Sequence, residues 1–486
     1  MLSVKRFKSV LRLAAGLAVA VLCSAADKPN IVLVLADDQG WGDMAYNGRT
    51  ELKTPNFDKA AAAGLRFDRF YAAAPVCSPT RASIMTGRHP NRSGVFKWGY
   101  PLRPQETTIA EALKTVGYAT AHFGKWHLGS VRRDSPAHPG AQGFDEWFSA
   151  PNFFDNDPIL SRRGEAVQTQ GESSAVTVDA ALDWIREQAS ADRPFLAVVW
   201  FGSPHAPHRA IDSDRDLYAD QPEGMRDFLG EVTGMDRAFG KLRATLSDLG
   251  IRDDTILWYT SDNGALPKVG SSGGKRGFKG AVYEGGLLVP AILEWPTRLP
   301  APRRIDVRCN TSDIYPTLLE ISGAAVEQQP PLDGISLVPL IDGRMDSRPK
   351  PMGFWDYPAR GIGTPSAKWM ADLLAAQQAG GELEAHESSR RAAELPDPPY
   401  PLDKFPGHAA WIDGDWKLHR IESEDGEVGW ELYDLAADTV ESKDLGEKHR
   451  ERAASMGKAM EVWLASVAHS LNGEDYGAAR VIAEGR

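Results

Sequence analysis

The five residues CSPTR place a cysteine, a proline and an arginine at short fixed spacing, in a chain of 486 residues that has only three cysteines. Pro79 suits the first turn of a helix and Gly87 suits its end, which predicts that Cys77 lies at a helix N-terminus. Arg81 follows four residues later and shares a face of that helix with Cys77. A lone cysteine is usually a small buried hydrophobe, so its chemistry has to be argued from its neighbours.

Polar residues also follow four apolar runs that are typical of buried strands. The runs extend from Ile31 to Ala36, Tyr118 to Phe123, Phe195 to Phe201 and Thr255 to Thr260. The polar residues after them are Asp37, Asp38, Lys125, His127, His205, Asp262 and Asn263. Ligands of open α/β sheets bind outside the carboxyl ends of the strands, so we expect these side chains to converge.

Three carboxylates and one amide oxygen in this set are hard ligands that suit Ca²⁺ or Mg²⁺. They belong to Asp37, Asp38, Asp262 and Asn263. Each pair taken singly also suits a helix cap or a turn. Two acidic pairs at two strand ends favour a metal site, because carboxylates brought together without a cation repel one another.

The elements that must position these residues alternate between apolar strands and helical segments. The predicted helices are Pro55 to Gly64, Thr107 to Val116, Val176 to Ala189 and Phe228 to Leu249. This alternation predicts an α/β fold with a mostly parallel sheet covered by helices on both faces.

The pattern changes near Arg344 to Pro351, where proline and arginine become frequent. Trp411 to Asp413 and Trp416 to Arg420 flank Gly414 as a hairpin, and a last helix is predicted from Glu451 to Val467. We therefore expect a smaller C-terminal subdomain with an antiparallel sheet and a helix. The predicted division is a signal peptide at 1–26, a catalytic domain at 27–345 and the C-terminal subdomain at 346–486.

The first 26 residues combine basic residues, an apolar run and small residues before Ala26, which predicts a secretory signal peptide and an exported protein. No later stretch has the roughly 18 to 20 apolar residues that cross a bilayer. The mature chain would keep only Cys77 and Cys309, too few for a disulfide framework. The net charge of −11 argues against nucleic acid as a partner.

CSPTRASIMTGR resembles the signature of the type I sulfatases, in which a maturation enzyme oxidises the cysteine of Cys-x-Pro-x-Arg to formylglycine. The likeness extends over nearly the whole mature chain, through NIVLVLADDQGWGD, GYATAHFGKWHLG, TILWYTSDNG, GFKGAVYEGGLLVP and DGDWKLHR. GFDEWFSAPN is similar to a stretch of arylsulfatases and N-acetylgalactosamine-6-sulfatases. The resemblance implies an alkaline-phosphatase-like fold and sulfate ester hydrolysis.

The resemblance also implies one divalent cation, usually calcium, for which Mg²⁺ is the alternative. Its expected ligands are Asp37, Asp38, Asp262, Asn263 and modified Cys77. Arg81 and Lys125 would support the formylglycine, and His127 would partner its hydrate. A hydrated aldehyde offers one hydroxyl to attack sulfur and a second to expel sulfate afterwards.

Two further residues are implied as contacts to the sulfate ester. His205 is the candidate general acid toward the leaving oxygen, and Lys279 would bind the sulfuryl group. Lys279 is preferred to Lys275 because it lies five residues before the EGG triplet.

The leaving alcohol is expected to be a sugar, since His208 and Arg209 follow His205 closely. Trp98 and Arg360, with residues near Trp355, could complete a sugar subsite. The alternative for Trp98 is packing, and for Arg360 a surface charge.

Two other functions stay open from the sequence. One is a phosphonate or phosphate ester hydrolase, because formylglycine can also serve phosphoryl transfer. The other is an inactive glycan-binding relative, which an unmodified Cys77 would favour.

Overall fold

The computed structural model describes residues 28–381, 392 and 394–476. The predicted signal peptide at 1–26 lies outside these residues. A large sheet and a small sheet organise the described chain. Within these residues no helix is both long and apolar enough to span a membrane.

The large sheet has a parallel centre in the order β8, β1, β7, β3, β4. Its strands are β1 (Asn30–Ala36), β2 (Leu65–Tyr71), β3 (Ala119–Lys125), β4 (Glu146–Ala150), β5 (Ile159–Arg162), β6 (Glu165–Gln168), β7 (Phe195–Trp200), β8 (Thr255–Ser261), β9 (Leu288–Glu294), β10 (Arg303–Ile305) and β11 (Cys309–Asn310). Strand β9 is antiparallel to β8 and β2, and β5 and β6 extend the other edge antiparallel. The central strands are buried along their length, as their continuous apolar runs require.

Helices surround this sheet in two packed groups. Their bounds are α1 (Pro55–Ala63), α2 (Cys77–Thr86), α3 (Ile109–Lys114), α4 (Ser173–Ser190), α5 (Asp212–Arg215), α6 (Glu223–Asp248), α7 (Glu284–Leu287), α8 (Ile314–Ser322), α9 (Val338–Ile341) and α10 (Ser366–Gln378). Helices α1, α4 and α6 pack together, and α2, α3 and α8 form the second group. The predicted α/β architecture is confirmed.

The small sheet is antiparallel in the order β12 (Met352–Asp356), β13 (His408–Asp413), β14 (Trp416–Glu422) and β15 (Val428–Asp434). One face packs on helix α11 (Arg450–Leu471) through a core that includes Trp355, Leu418 and Leu464. The other face, including Phe354 and Tyr433, packs against Tyr71 and Leu287 of the large body. The hairpin around Gly414 and the last helix lie where the sequence predicts them.

Candidate active site

The parallel register of four strands brings the predicted polar residues side by side. Leu35 of β1 pairs with Trp200 of β7, which in turn pairs with Gly124 of β3, and Ala36 pairs with Ser261 of β8. Each strand therefore ends at the same edge of the sheet, and the following residues meet there. Asp37, Lys125, His205 and Asp262 come from four different strand ends for this reason.

Helix α2 supplies the thiol of the site. It runs from Cys77 to Thr86 and is capped by Gly87, whose φ of 71° lies in the left-handed region that favours glycine. The Sγ atom of Cys77 lies 3.5 Å from Oδ1 of Asp37 and 4.0 Å from Oδ1 of Asp38. Burial raises the pKa of the Cys77 thiol, against the attraction of Lys125 and Lys279. Unmodified, this side chain is a neutral thiol at neutral pH.

Three carboxylates and three cationic side chains form ion pairs around Cys77. Arg81 donates to Oδ2 of Asp262 from Nε at 3.1 Å and from Nη2 at 2.7 Å. Lys125 donates to Oδ2 of Asp37. Arg81 and Lys125 are buried, so they are structural partners of the carboxylates and not open to solvent.

Asp38 holds the third of these pairs. The ammonium of Lys279 lies 2.7 Å from both carboxylate oxygens of Asp38. The main-chain N–H of Asp38 donates to Oδ1 of Asp262 at 3.0 Å. Despite complete burial, Lys279 and His205 hold the pKa of Asp38 well below its usual range. Asp38 has a φ of 71°, a left-handed conformation that aspartate tolerates better than most residues.

The pKa of Asp262 is shifted in the opposite direction to that of Asp38. Burial raises the pKa of Asp262 to about 6, and the negative charge of Asp37 adds to this effect against Arg81. Nearby, the Oδ1 atom of Asn263 is buried without a hydrogen-bond donor among the described residues, while its Nδ2 donates to Asp38 at 2.8 Å. A hard cation would bind an amide oxygen that lacks a hydrogen-bond donor and lies beside several carboxylates.

His205 is oriented by its ring nitrogens. Nδ1 lies 2.6 Å from the carbonyl of Ala206, which can only accept, so Nδ1 carries a proton. Nε2 therefore faces Asp38, 3.6 Å from Oδ2. Burial lowers the pKa of His205 to about 4, with Asp38 opposing and the lysines adding to the decrease. Asp37, Asp38, Cys77 and His205 each present a ligand atom within 4.8 Å of the others.

His127 is buried beside these groups with a left-handed φ of 53°. Neither of its ring nitrogens has a hydrogen-bond partner in the part of the chain that the structure describes. Burial lowers the pKa of His127 well below its usual range, and Lys125 and Arg81 add to that effect. The ring is thus neutral and free to bond to a group added at this site.

A family model described as Sulfatase matches residues 29–324. The chain belongs to the sulfatase family. It is 35% identical over 384 residues to the N-acetylgalactosamine-6-sulfatase of Canis lupus familiaris, across 69% of this chain and 70% of that one. It is 33% identical over 445 residues to human arylsulfatase A, across 82% and 85% of the two chains. The predicted family is confirmed, and the chain is a sulfuric ester hydrolase.

The fold has a close counterpart among solved structures. Ps i-CgsB, in complex with k-i-k-neocarrahexaose, aligns with a TM-score of 0.75 at 24% identity, over 94% of this chain and 98% of that chain. This likeness supports the alkaline-phosphatase-like sulfatase fold that the sequence predicts.

The predicted rim residues lie in different surroundings. Trp98 is 44% exposed, and its carbonyl accepts from the N–H of Ile362, two residues after Arg360. His208 bonds to Glu231 at 3.3 Å and packs edge-on against Phe228.

Arg209 and Trp355 differ in their exposure. Arg209 is exposed, and its main-chain N–H donates to Glu231 at 2.6 Å. Trp355 is buried in the core of the small sheet and donates to the carbonyl of Pro406 at 2.8 Å. The expectation that residues near Trp355 form the rim is therefore wrong for Trp355 itself, because packing on α11 encloses it.

Sequence reasoning missed Phe154. Its ring stacks on the imidazole of His205 with centroids 4.9 Å apart and an interplanar angle of 9°. Recognising Glu146–Ala150 as a strand parallel to β3 would have placed Phe154 near the same edge of the sheet. The signal was the apolar run in EWFSA, which precedes it.

Proposed function

We propose that the protein hydrolyses the sulfate ester of a sulfated sugar, with the hydrate of formylglycine derived from Cys77 as the nucleophile. The observation that carries this proposal is the position of Cys77. It starts a buried helix 3.5 Å from Asp37, among acids and bases gathered by four strand ends. We also infer that residues 1–26 direct export and that a maturation enzyme reads the CSPTR segment.

We infer one calcium ion, held by Asp37, Asp38, Asp262, Asn263 and modified Cys77. These ligands suit calcium because they offer hard oxygen atoms, and one of them, Oδ1 of Asn263, accepts no hydrogen bond from the described residues. When bound, the cation would lower the pKa of the attacking hydroxyl and offset negative charge on the sulfuryl oxygens.

The charges of the cluster explain how an acidic protein would hold an anion. Three carboxylates balance the three cations Arg81, Lys125 and Lys279, so a divalent cation leaves an excess of positive charge. A sulfate monoester carries one negative charge and would be drawn to this excess.

Exposure separates the residues that position from those that would touch the substrate. The side chain of Lys279 is 19% exposed and that of His205 is 22% exposed, whereas those of Arg81 and Lys125 are fully enclosed. Lys279 would bind a sulfuryl oxygen, and Nε2 of His205 would contact the leaving oxygen, with the doubly protonated ring as the candidate general acid. His127 would bond to the modified Cys77.

A sulfated sugar is the substrate class that the relatives favour. The chain matches N-acetylgalactosamine-6-sulfatases over most of its length. The exposed indole of Trp98 lies against Gly361, the residue after Arg360, so this segment offers an aromatic face and a charge for a sugar ring. His208 and Arg209 would extend this subsite from the segment after His205.

Release of inorganic sulfate tests the substrate class. N-acetylgalactosamine 6-sulfate and other sulfated mono- and oligosaccharides should be hydrolysed, while nitrophenyl sulfate should react weakly because it lacks the sugar contacts. Activity on choline sulfate or a phosphonate ester, with none on any sulfated sugar, would overturn the sugar assignment.

Peptide mass spectrometry tests the nucleophile. Protein made with a competent maturation enzyme should carry formylglycine at position 77, and Cys77→Ala should fold but lose activity by up to roughly 10⁶-fold. Arg186→Met, at an exposed residue of α4 away from the site, is the control and should keep the activity of the wild type. An unmodified thiol in fully active enzyme would contradict the mechanism.

A further inference from the structure

Lys279 lies on a segment that packs between the large body and the small sheet. We call residues 276–286 the lysine loop. The N–H of Gly285 donates to the carbonyl of Arg276 at 2.7 Å and closes the loop at its base. The N–H groups of Lys279 and Gly280 donate to Ala265 and Pro75, each at 2.9 Å. The loop thus contacts the segment that leads into Cys77.

Glu284 anchors the base of the lysine loop to the small sheet. Its Oε1 accepts from Lys417 of β14 at 3.0 Å, and its Oε2 accepts from the hydroxyl of Tyr71 at 2.9 Å. Its main-chain N–H donates to Oε2 of Glu441 at 2.6 Å. Lys417 also lies 3.0 Å from Oε1 of Glu441, so one ammonium joins two carboxylates.

A histidine completes the arrangement. Nε2 of His419 lies 2.7 Å from Oε1 of Glu441, and because a carboxylate only accepts, Nε2 carries the proton. Nδ1 of His419 then accepts from Nε2 of His408 at 2.8 Å. We call Glu284, Lys417, Glu441 and His419 the clamp. All four carboxylate oxygens of the clamp have donors, and all four side chains are buried.

A second set of bonds joins the loop to the same sheet. Arg276 donates to the hydroxyl of Tyr433 at 2.8 Å and to Glu431 at 3.2 Å. Tyr283 donates to the same oxygen of Glu431 at 3.0 Å. Both ends of the lysine loop are therefore fixed by β14, β15 and the residues just after them.

We propose that Lys417 and Glu441 are positioning residues for Lys279. They act through Glu284 to hold the lysine loop at the edge of the large sheet where Asp38 lies. The inference rests on the proposed function, in which Lys279 binds the sulfuryl group. The loop itself needs external support, because Gly277 and Gly280 have φ values of 82° and 92° and give its backbone wide conformational freedom. The small sheet thereby takes part in catalysis without touching the substrate.

The structure offers a control on the same strand. Arg420 is three residues from Lys417 on β14 and is also buried, but its guanidinium donates to the carbonyl of Phe405, on the α11 side of the sheet. Replacing Arg420 disturbs the small sheet without touching the lysine loop. Comparing Lys417→Met with Arg420→Met therefore separates positioning from general support of the fold.

Steady-state kinetics on a sulfate ester and inhibition by inorganic sulfate test the proposal, with protein carrying formylglycine and calcium. Lys417→Met should lower kcat/KM on the order of 100-fold, the cost of misplacing a binding group by about 1 Å. It should also weaken sulfate inhibition, while the calcium content stays unchanged. Arg420→Met should keep the kcat/KM and the sulfate inhibition of the wild type.

A double-mutant cycle adds a readout that a structural role would not move. If Lys417 acts through Glu284, then Lys417→Met should have little further effect on kcat/KM in the Glu284→Gln background. Should Lys417→Met fail to fold, Glu441→Gln provides the same comparison, since it keeps an oxygen for the N–H of Glu284 but loses the charge facing Lys417.

Lys279→Ala distinguishes failure of this proposal from failure of the proposed function. Loss of activity in Lys279→Ala with normal kinetics in Lys417→Met would overturn the positioning role alone. Equal losses in Lys417→Met and Arg420→Met would overturn it as well, because support of the fold would then suffice. Full activity in Lys279→Ala would remove the proposed role of Lys279 and the positioning proposal with it.

Discussion

The proposed active site and the clamp are both largely buried groups of acids and bases, but they differ in how fully they are bonded. We call the proposed site residues around Cys77 the catalytic cluster; they are Asp37, Asp38, Arg81, Lys125, His127, His205, Asp262, Asn263 and Lys279. In the clamp, each oxygen of Glu284 and Glu441 accepts from a neighbour. In the catalytic cluster, Asn263 Oδ1 and both ring nitrogens of His127 lack partners among the described residues, and the pKa of Asp262 is raised to about 6. A fully bonded network of this kind stabilises the fold, whereas unbonded polar atoms beside several carboxylates are available to a bound cation or substrate.

The largest expected difference between the two regions is in rescue by calcium. Arg81→Met and Lys417→Met each remove a buried cation from two carboxylates, so each should lower the free energy of unfolding by about 3–5 kcal/mol. Saturating calcium should recover part of the loss in Arg81→Met, because Asp37 and Asp262 can bind the ion more tightly. Urea unfolding of both variants with and without calcium measures this.

Lys417→Met is the matched control for that experiment, since Lys417 has the same burial and also bridges two acids. Its loss of stability should be the same at every calcium concentration. Equal rescue of both variants by calcium would contradict the view that calcium binds in the catalytic cluster and not in the clamp.

The sequence predicted the catalytic cluster better than the clamp for a physical reason. Asp37, Lys125 and Asp262 follow apolar runs directly, and parallel strands align their carboxyl ends, so pattern alone brings these side chains together. Lys417 and Glu441 meet Glu284 only because the small sheet docks on the large body. No periodicity in the sequence encodes such a contact between distant segments.

The prediction of the fold from the sequence was limited in the same way. The predicted centre of the large sheet and the hairpin around Gly414 are confirmed, because both follow from local apolar and turn patterns. Strands β9 to β11 and the order of all strands depend on distant pairing and could not be predicted. The division at 345 and 346 stays a prediction, and α10, beyond it, bonds through Gln377 to Ala166 of the large sheet.

A smaller effect should follow from calcium binding to the wild type. Calcium at 100 times its dissociation constant should raise the free energy of unfolding by about 2.7 kcal/mol. Asp38→Asn should lose most of this gain because it weakens a hard ligand, as thermal unfolding with and without a chelator would show. Asp313→Asn, which alters a buried acid bound to Arg348 instead, should keep the gain. Identical unfolding of chelated and calcium-loaded wild type would rule out the site.

The smallest expected effect concerns Phe154, which lies beside His205 at the partly exposed side of the catalytic cluster. His205 has one fixed hydrogen bond, from Nδ1 to Ala206, and the stacked ring of Phe154 restrains its plane. Aromatic stacking of this kind contributes about 0.5–1.5 kcal/mol, so Phe154→Leu should lower kcat/KM several-fold. Phe154→Tyr keeps the stacked face and should retain the activity of the wild type.

The loss of activity in Phe154→Leu should appear mainly in kcat, because His205 is expected to act on the leaving oxygen as the bond breaks. If Phe154→Leu instead raised KM alone, the ring would contact the sugar and not orient His205.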